Sequence, residues 1–185
     1  LGGVPEDYWK ADTPVFEEIA KTIGTVAETD NMKIGVDGCG VPVFAVGIKN
    51  IAISYKNLAC PDKIHDDALQ AAAADNVGRI MRHPEMIRGT GFLCSIMNED
   101  PNIIAKGGAN GVYGFGLKKQ RLGVAFKFVD GTEQAWPFLA KNILKALGAL
   151  TPEHEKRLDA LHPTYFVNDN ERIVGERRSE ISISI

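Results

Sequence analysis

The chain changes its hydrophobic period at Pro101, and that change limits the possible fold more than any other feature. Upstream, apolar residues recur at helical spacing: Phe16, Ile19, Ala20 and Ile23, then Ile51, Ala52, Tyr55 and Leu58, then Leu69, Ala73, Val77 and Ile80. Downstream, Ile103 to Lys106, Val112 to Leu117 and Leu122 to Val129 read as three successive strands. Only the glycine turn Gly107-Gly108-Ala109-Asn110-Gly111 and the polar turn Lys118-Lys119-Gln120-Arg121 part them, so they predict an antiparallel meander. Leu139, Ala140, Ile143 and Leu147 then mark an amphipathic helix, which Pro137 starts near Trp136 and Gly148 ends. Helices first, a meander next and a helix laid on it is an α+β order, unlike the alternation of βαβ folds. The expectation is a single α+β unit over residues 1–185, with an antiparallel sheet of three strands or more packed by helices.

Local signals refine this outline. Asp12-Thr13-Pro14 opens the first helix, and Gly24 is expected to stop it, leaving a polar loop from Thr25 to Asn31. Lys33 to Val36 is a short extended piece leading into Asp37-Gly38-Cys39-Gly40-Val41-Pro42, a tight loop rich in turn formers. The helix from Ile48 closes at Cys60-Pro61, and the next begins near Asp66 and ends before His83-Pro84. Phe92 to Met97 predicts one or two further helical turns. Thr151-Pro152 caps a helix through Leu158 and Leu161, and Val167 to Gly175 predicts a hairpin turning at Asn168-Asp169-Asn170.

Composition excludes several classes. With 21 Lys plus Arg against 24 Asp plus Glu and no basic stripe, the chain lacks the electrostatic term that drives binding to nucleic acid. No apolar run approaches the roughly 20 residues a membrane helix needs, and Leu1-Gly2-Gly3-Val4-Pro5-Glu6 has neither a basic start nor an apolar signal core. Neither nucleic acid nor a membrane is expected as a partner. Cys39, Cys60 and Cys94 form no CxxC pair, which argues for a reducing compartment, the cytoplasm by default.

Few residues carry a chemical signal. The run from Gly107 to Gly114 is no dinucleotide loop, because a strand rather than a helix follows it; turn and packing glycines account for it. Lys106 ends an apolar strand and precedes Gly107-Gly108, which places a cation where a strand meets a cleft, as in the K-T-G element of penicillin-recognising serine hydrolases. The alternative is a lysine snorkelling from a strand end. No S-x-x-K nucleophile motif accompanies it, and Ser54-Tyr55-Lys56 has the wrong spacing. Asp37 and Cys39 share a glycine-rich loop where a carboxylate and a thiolate can reach one point, for zinc or proton transfer, or where Cys39 is simply a small buried thiol. His65, His83, His154 and His162 read as structural or surface residues.

Taken in order, Gly35-Val36-Asp37-Gly38-Cys39-Gly40-Val41-Pro42-Val43-Phe44-Ala45-Val46, Met81-Arg82-His83-Pro84, Gly89-Thr90-Gly91 and Ala105-Lys106-Gly107-Gly108-Ala109-Asn110-Gly111-Val112-Tyr113 resemble the asparaginase II family, the inducible rhizobial-type L-asparaginases. The resemblance runs from about Tyr8 to Gly175. It implies a fold similar to part of a serine β-lactamase or glutaminase-like hydrolase, and hydrolysis of the side-chain amide of L-asparagine to aspartate and ammonia. It further implies that Lys106 matches an active-site lysine, Asp37 a carboxylate beside a metal, and Cys39 a zinc-ligand cysteine. The family's serine, its S-x-x-K lysine and its Cys-Ser-Gly-Lys-His stretch have no counterpart here. The chain is therefore expected to correspond to the C-terminal part of a longer protein, either pairing with an N-terminal half or associating with itself. Two rival expectations are a non-catalytic fragment and a related glutaminase or β-lactam-binding hydrolase.

Overall fold

A computed structural model describes residues 5–184. The start at Leu1 to Val4, where no leader signal was expected, lies outside the described residues. The chain divides into two compact units, one holding everything up to Gly78 together with Gly114–Phe126, the other Arg79–Tyr113 and the chain from Lys127 onward. The fold is α+β, as the change of period predicts.

The first unit is built on three helices: α1 (Pro14–Ala27), α2 (Ile48–Ala59) and α3 (Asp67–Arg82), the last of which runs on past Gly78. Helix α1 does not stop at Gly24. It continues one turn to Ala27 and ends on Glu28 at φ 51°, whose N–H bonds the carbonyls of Gly24 and Thr25. The reason is tertiary: Asn50 Nδ2 donates to Ala27 O and Asn57 Nδ2 to Val26 O, each at 2.9 Å. These amides from α2 satisfy carbonyls that a helix end otherwise leaves open. Gly24 is needed for a different purpose, since a Cβ there would stand 2.9 Å from Thr29 O. Beyond α1, strand β1 (Lys33–Val36) pairs antiparallel with β2 (Pro42–Ala45), in a register running from Lys33 opposite Ala45 to Val36 opposite Pro42. Sequence pattern predicts β1 but not β2, because Pro42 signals a loop; as the first residue of an edge strand a proline costs no ladder bond.

Three strands, β3 (Ile103–Gly107), β4 (Val112–Leu117) and β5 (Leu122–Lys127), form a sheet in that order. Strand β5 stops two residues short of the expected Val129, which is 98% exposed. The part of β4 and β5 belonging to the first unit carries three glycines, and they decide how α2 packs. A Cβ on Gly114 would come 2.1 Å from the Tyr55 ring, one on Gly116 against Tyr55 O and one on Gly123 against Ala52 O. Gly114 and Gly116 lie on one face of β4, so the backbone of α2 rests on a strip of sheet with no side chains. Phe115 and Leu117 point to the opposite face and are fully buried.

In the second unit the short helices α4 (Glu85–Arg88) and α5 (Leu93–Asn98) precede β3, and α6 (Trp136–Ala146), α7 (Pro152–Leu161) and the hairpin β6 (Tyr165–Val167) and β7 (Ile173–Glu176) follow. Every residue of α5 is buried. Its side chains Leu93, Ile96 and Met97 join Ile103, Ile104, Tyr113, Trp136, Leu144 and Leu158 in one core. Trp136 packs against Gly107, where a Cβ would come 2.6 Å from its ring, and its Nε1 donates to Gly111 O at 3.3 Å. A ring of this size buried with its N–H satisfied fixes the start of α6 against the glycine turn. Helix α7 begins as expected, with Thr151 accepting from His154 N. The His154 ring is buried, 2.9 Å from Ile96 O and 3.6 Å from Asp100, and the Arg157 guanidinium holds Glu99 through both nitrogens. Helix α7 thereby supports α5 from outside.

Candidate active site

Strand β3 alternates in a way that isolates one side chain. Ile103, Ile104, Ala105 and Gly107 are buried, whereas Lys106 is exposed, and its Nζ donates to Gly107 O at 2.5 Å. Strand β3 thus carries one exposed cation among buried neighbours.

Asp37 and Cys39 are brought together in the turn joining β1 to β2. Asp37 Oδ1 accepts the N–H of Cys39 at 2.8 Å, its backbone O accepts from Gly40 N at 3.1 Å, and Gly40 sits at φ +80°, a conformation that glycine adopts at no steric cost. Cys39 is exposed, while Cys60 and Cys94 are buried. The small-buried-thiol reading therefore describes those two cysteines and not Cys39. The loop belongs to the first unit and Lys106 to the second.

Zinc requires three or four donors in a tetrahedron. The loop offers the Cys39 thiolate and Asp37, one of whose oxygens is already engaged by the backbone. Among the described residues no group of three or more His, Cys, Asp and Glu is placed to hold a metal. Among the described residues this loop therefore supplies fewer donors than a zinc site requires.

Two serine hydroxyls are committed to backbone carbonyls: Ser54 Oγ donates to Asn50 O at 2.9 Å and Ser95 Oγ to Gly89 O at 2.6 Å. His83 faces Glu85 at the surface, and burial, reinforced by the charges of Arg177 and Lys141, holds His162 below the usual imidazole range. Among the described residues no helix is long and apolar enough to cross a membrane.

Two neighbourhoods escape sequence reasoning. Arg88 donates to Glu133 at 2.7 Å, and its guanidinium lies 5.7 Å from the Phe92 ring and 5.8 Å from that of Trp136. The Glu133 carboxylate raises its affinity for the proton still further. This arginine borders a cavity of about 240 Å³ whose walls include Phe92, Glu133, Gln134 and Trp136. A larger cavity, about 860 Å³, lies among α6, α7 and the terminal hairpin, where buried Lys141 is bound by Asp159 and Thr164. No spacing motif marks either one, because each gathers residues tens of positions apart in sequence.

The family model for L-asparaginase II matches residues 1–179. No curated protein matches the chain.

Proposed function

The chain belongs to the L-asparaginase II family, an asparaginase-like amidohydrolase group, and from that membership we propose that its substrate is L-asparagine and that its part in the reaction centres on Lys106. The observation that carries the reading is the single exposed cation on an otherwise buried strand, followed by glycine. In the proposed reaction a serine hydroxyl from a segment outside these 185 residues attacks the side-chain amide carbon. The C–N bond breaks, ammonia leaves with the serine proton, and water then cleaves the resulting ester to give aspartate. A serine hydroxyl needs a neighbouring base to be nucleophilic, and a lysine serves as one only when a nearby cation or desolvation favours its neutral form. Lys106 supplies such a cation beside the serine's own lysine and offers donors to the substrate carboxylate.

Asp37 shapes the loop that presents Cys39, and Cys39 is available as one ligand of a zinc site whose other donors come from outside the chain. The test is ammonia release from L-asparagine and, separately, from L-glutamine. The purified chain alone should release none above background. Combined with a Ser-x-x-Lys-bearing segment of the family it should turn over L-asparagine, and Lys106→Ala should lower that rate by about 10²-fold or more. Turnover by the chain alone, or an unaffected Lys106→Ala, overturns the reading.

A further inference from the structure

Lys106 is held from behind by two side chains one helical turn apart on α5. Asn98 Oδ1 accepts the N–H of Ala105 at 2.9 Å, and Asn98 Nδ2 donates to Ala105 O at 2.7 Å. The same Nδ2 also reaches Cys94 O at 2.7 Å. Four residues earlier on the same helical face, Cys94 Sγ accepts the N–H of Gly107 at 3.2 Å. Ala105 O belongs to the peptide plane before the Lys106 Cα and Gly107 N–H to the plane after it. With both planes anchored, φ and ψ of Lys106 are set, and so is the direction in which its side chain leaves the strand.

In β-structure the N–H and C=O of residues 105 and 107 face the same edge of the strand. In the order β3-β4-β5 the strand β3 is terminal, so among the described residues no strand pairs with that edge. Asn98 reproduces the donor and acceptor pair of a neighbouring strand, and Cys94 adds one acceptor further along. All the groups involved are buried, with Asn98 at 1% and Cys94 at 0% exposure, so no water replaces a lost partner cheaply. The pedestal is itself braced, since His154 and Arg157 of α7 bind Ile96 O and Glu99.

We propose that Asn98 and Cys94 are positioning residues for Lys106. Neither is placed to touch substrate; each acts through the backbone of β3. The proposal rests on the reading of Lys106 as a functional residue, but its test does not use turnover, so the two can fail separately.

The experiment uses the isotopically labelled 185-residue chain and reads three-bond couplings for φ and χ1 of Lys106 together with amide exchange at Ala105 and Gly107. Cys94→Ala removes the N–H···S bond from Gly107, the thiol's interaction with Arg88 and a small volume. It should leave the chain folded by near-ultraviolet circular dichroism, average the Lys106 couplings, and speed Gly107 exchange about fivefold or more. Cys94→Ser restores an acceptor and should recover both signals. Asn98→Ala should act more strongly and should move Ala105 exchange as well. A folded Cys94→Ala chain with unchanged Lys106 couplings and unchanged Gly107 exchange overturns the proposal. So does averaging that Cys94→Ser fails to reverse. Loss of turnover in Lys106→Ala bears only on the functional reading of that lysine.

Discussion

Replacing Gly123 by alanine tests whether the backbone of α2 truly rests on bare sheet. A methyl group there would overlap Ala52 O, with Ala52 C and Lys56 N next nearest at 2.7 Å, and all three are helix backbone that no rotamer change can move aside. Relief requires α2 to lift from β5 by about 1 Å, and a gap of that size forfeits roughly a quarter to a half of the dispersion energy along the contact. The lift also disturbs Asn57 and Ala59, both buried on α2. Overpacking of this kind costs about 1–3 kcal/mol where side chains can adjust. Because only backbone is met here, about 3 kcal/mol or more is expected. For a chain of this length that lowers Tm by roughly 6–12 °C. Gly38→Ala is the control: nothing lies within 4 Å of its added Cβ and its φ is not left-handed, so it should be neutral or stabilising by up to about 1 kcal/mol. Urea and thermal unfolding of the two variants beside the parent decide the matter. If Gly123→Ala falls within about 0.5 kcal/mol of Gly38→Ala, the close approach of α2 to the sheet is refuted.

Asn57→Ala leaves Val26 O and Glu28 without the Asn57 amide and should cost about 1–3 kcal/mol, visible as faster amide exchange over the last turn of α1. His162 is harder to protonate folded than unfolded, since burial and then Arg177 and Lys141 oppose its charge; stability should therefore hold above about pH 6.5 and decline as pH falls below it. Urea midpoints between pH 5 and 8 read this slope, and His162→Gln should flatten it. Cys39, the exposed cysteine, should alkylate faster than Cys60 or Cys94 in site-resolved mass spectrometry, and the chain alone should bind zinc weakly or not at all in calorimetry. Slowest labelling at Cys39 contradicts the exposed-ligand reading.

Elements that obey a local rule were legible in the sequence. Strand β4 carries an apolar run between two turns, α6 has proline at its start, and the Thr151 cap of α7 is visible three residues from His154. The errors fall where distant residues decide. Gly24 looks like a stop, yet two asparagines of α2, more than twenty positions away, supply the donors that let α1 continue. Pro42 looks like loop, yet its place at the beginning of an edge strand is compatible with pairing to Val36.

The same division runs through the site. Lys106 is conspicuous because its charge interrupts an apolar strand and glycines follow, a contrast that needs no tertiary knowledge. Its supports are inconspicuous for an equally physical reason. Asn98 lies in the stretch Leu93-Cys94-Ser95-Ile96-Met97-Asn98, where an amide at a helix end suggests an ordinary C-terminal cap. Its burial becomes intelligible only when β3 is seen to present an N–H and a C=O at the correct spacing. A usable signal did exist: a cysteine and an asparagine four apart stand on one face of a short apolar helix, five residues or fewer before a strand. Polar side chains on the buried face of such a helix must find partners, and the nearest backbone able to provide them is the unpaired edge of the strand that follows. In this chain the groups on that edge belong to Ala105 and Gly107, which flank Lys106, so the residues most easily dismissed as core are the ones whose removal should loosen the direction of the cation.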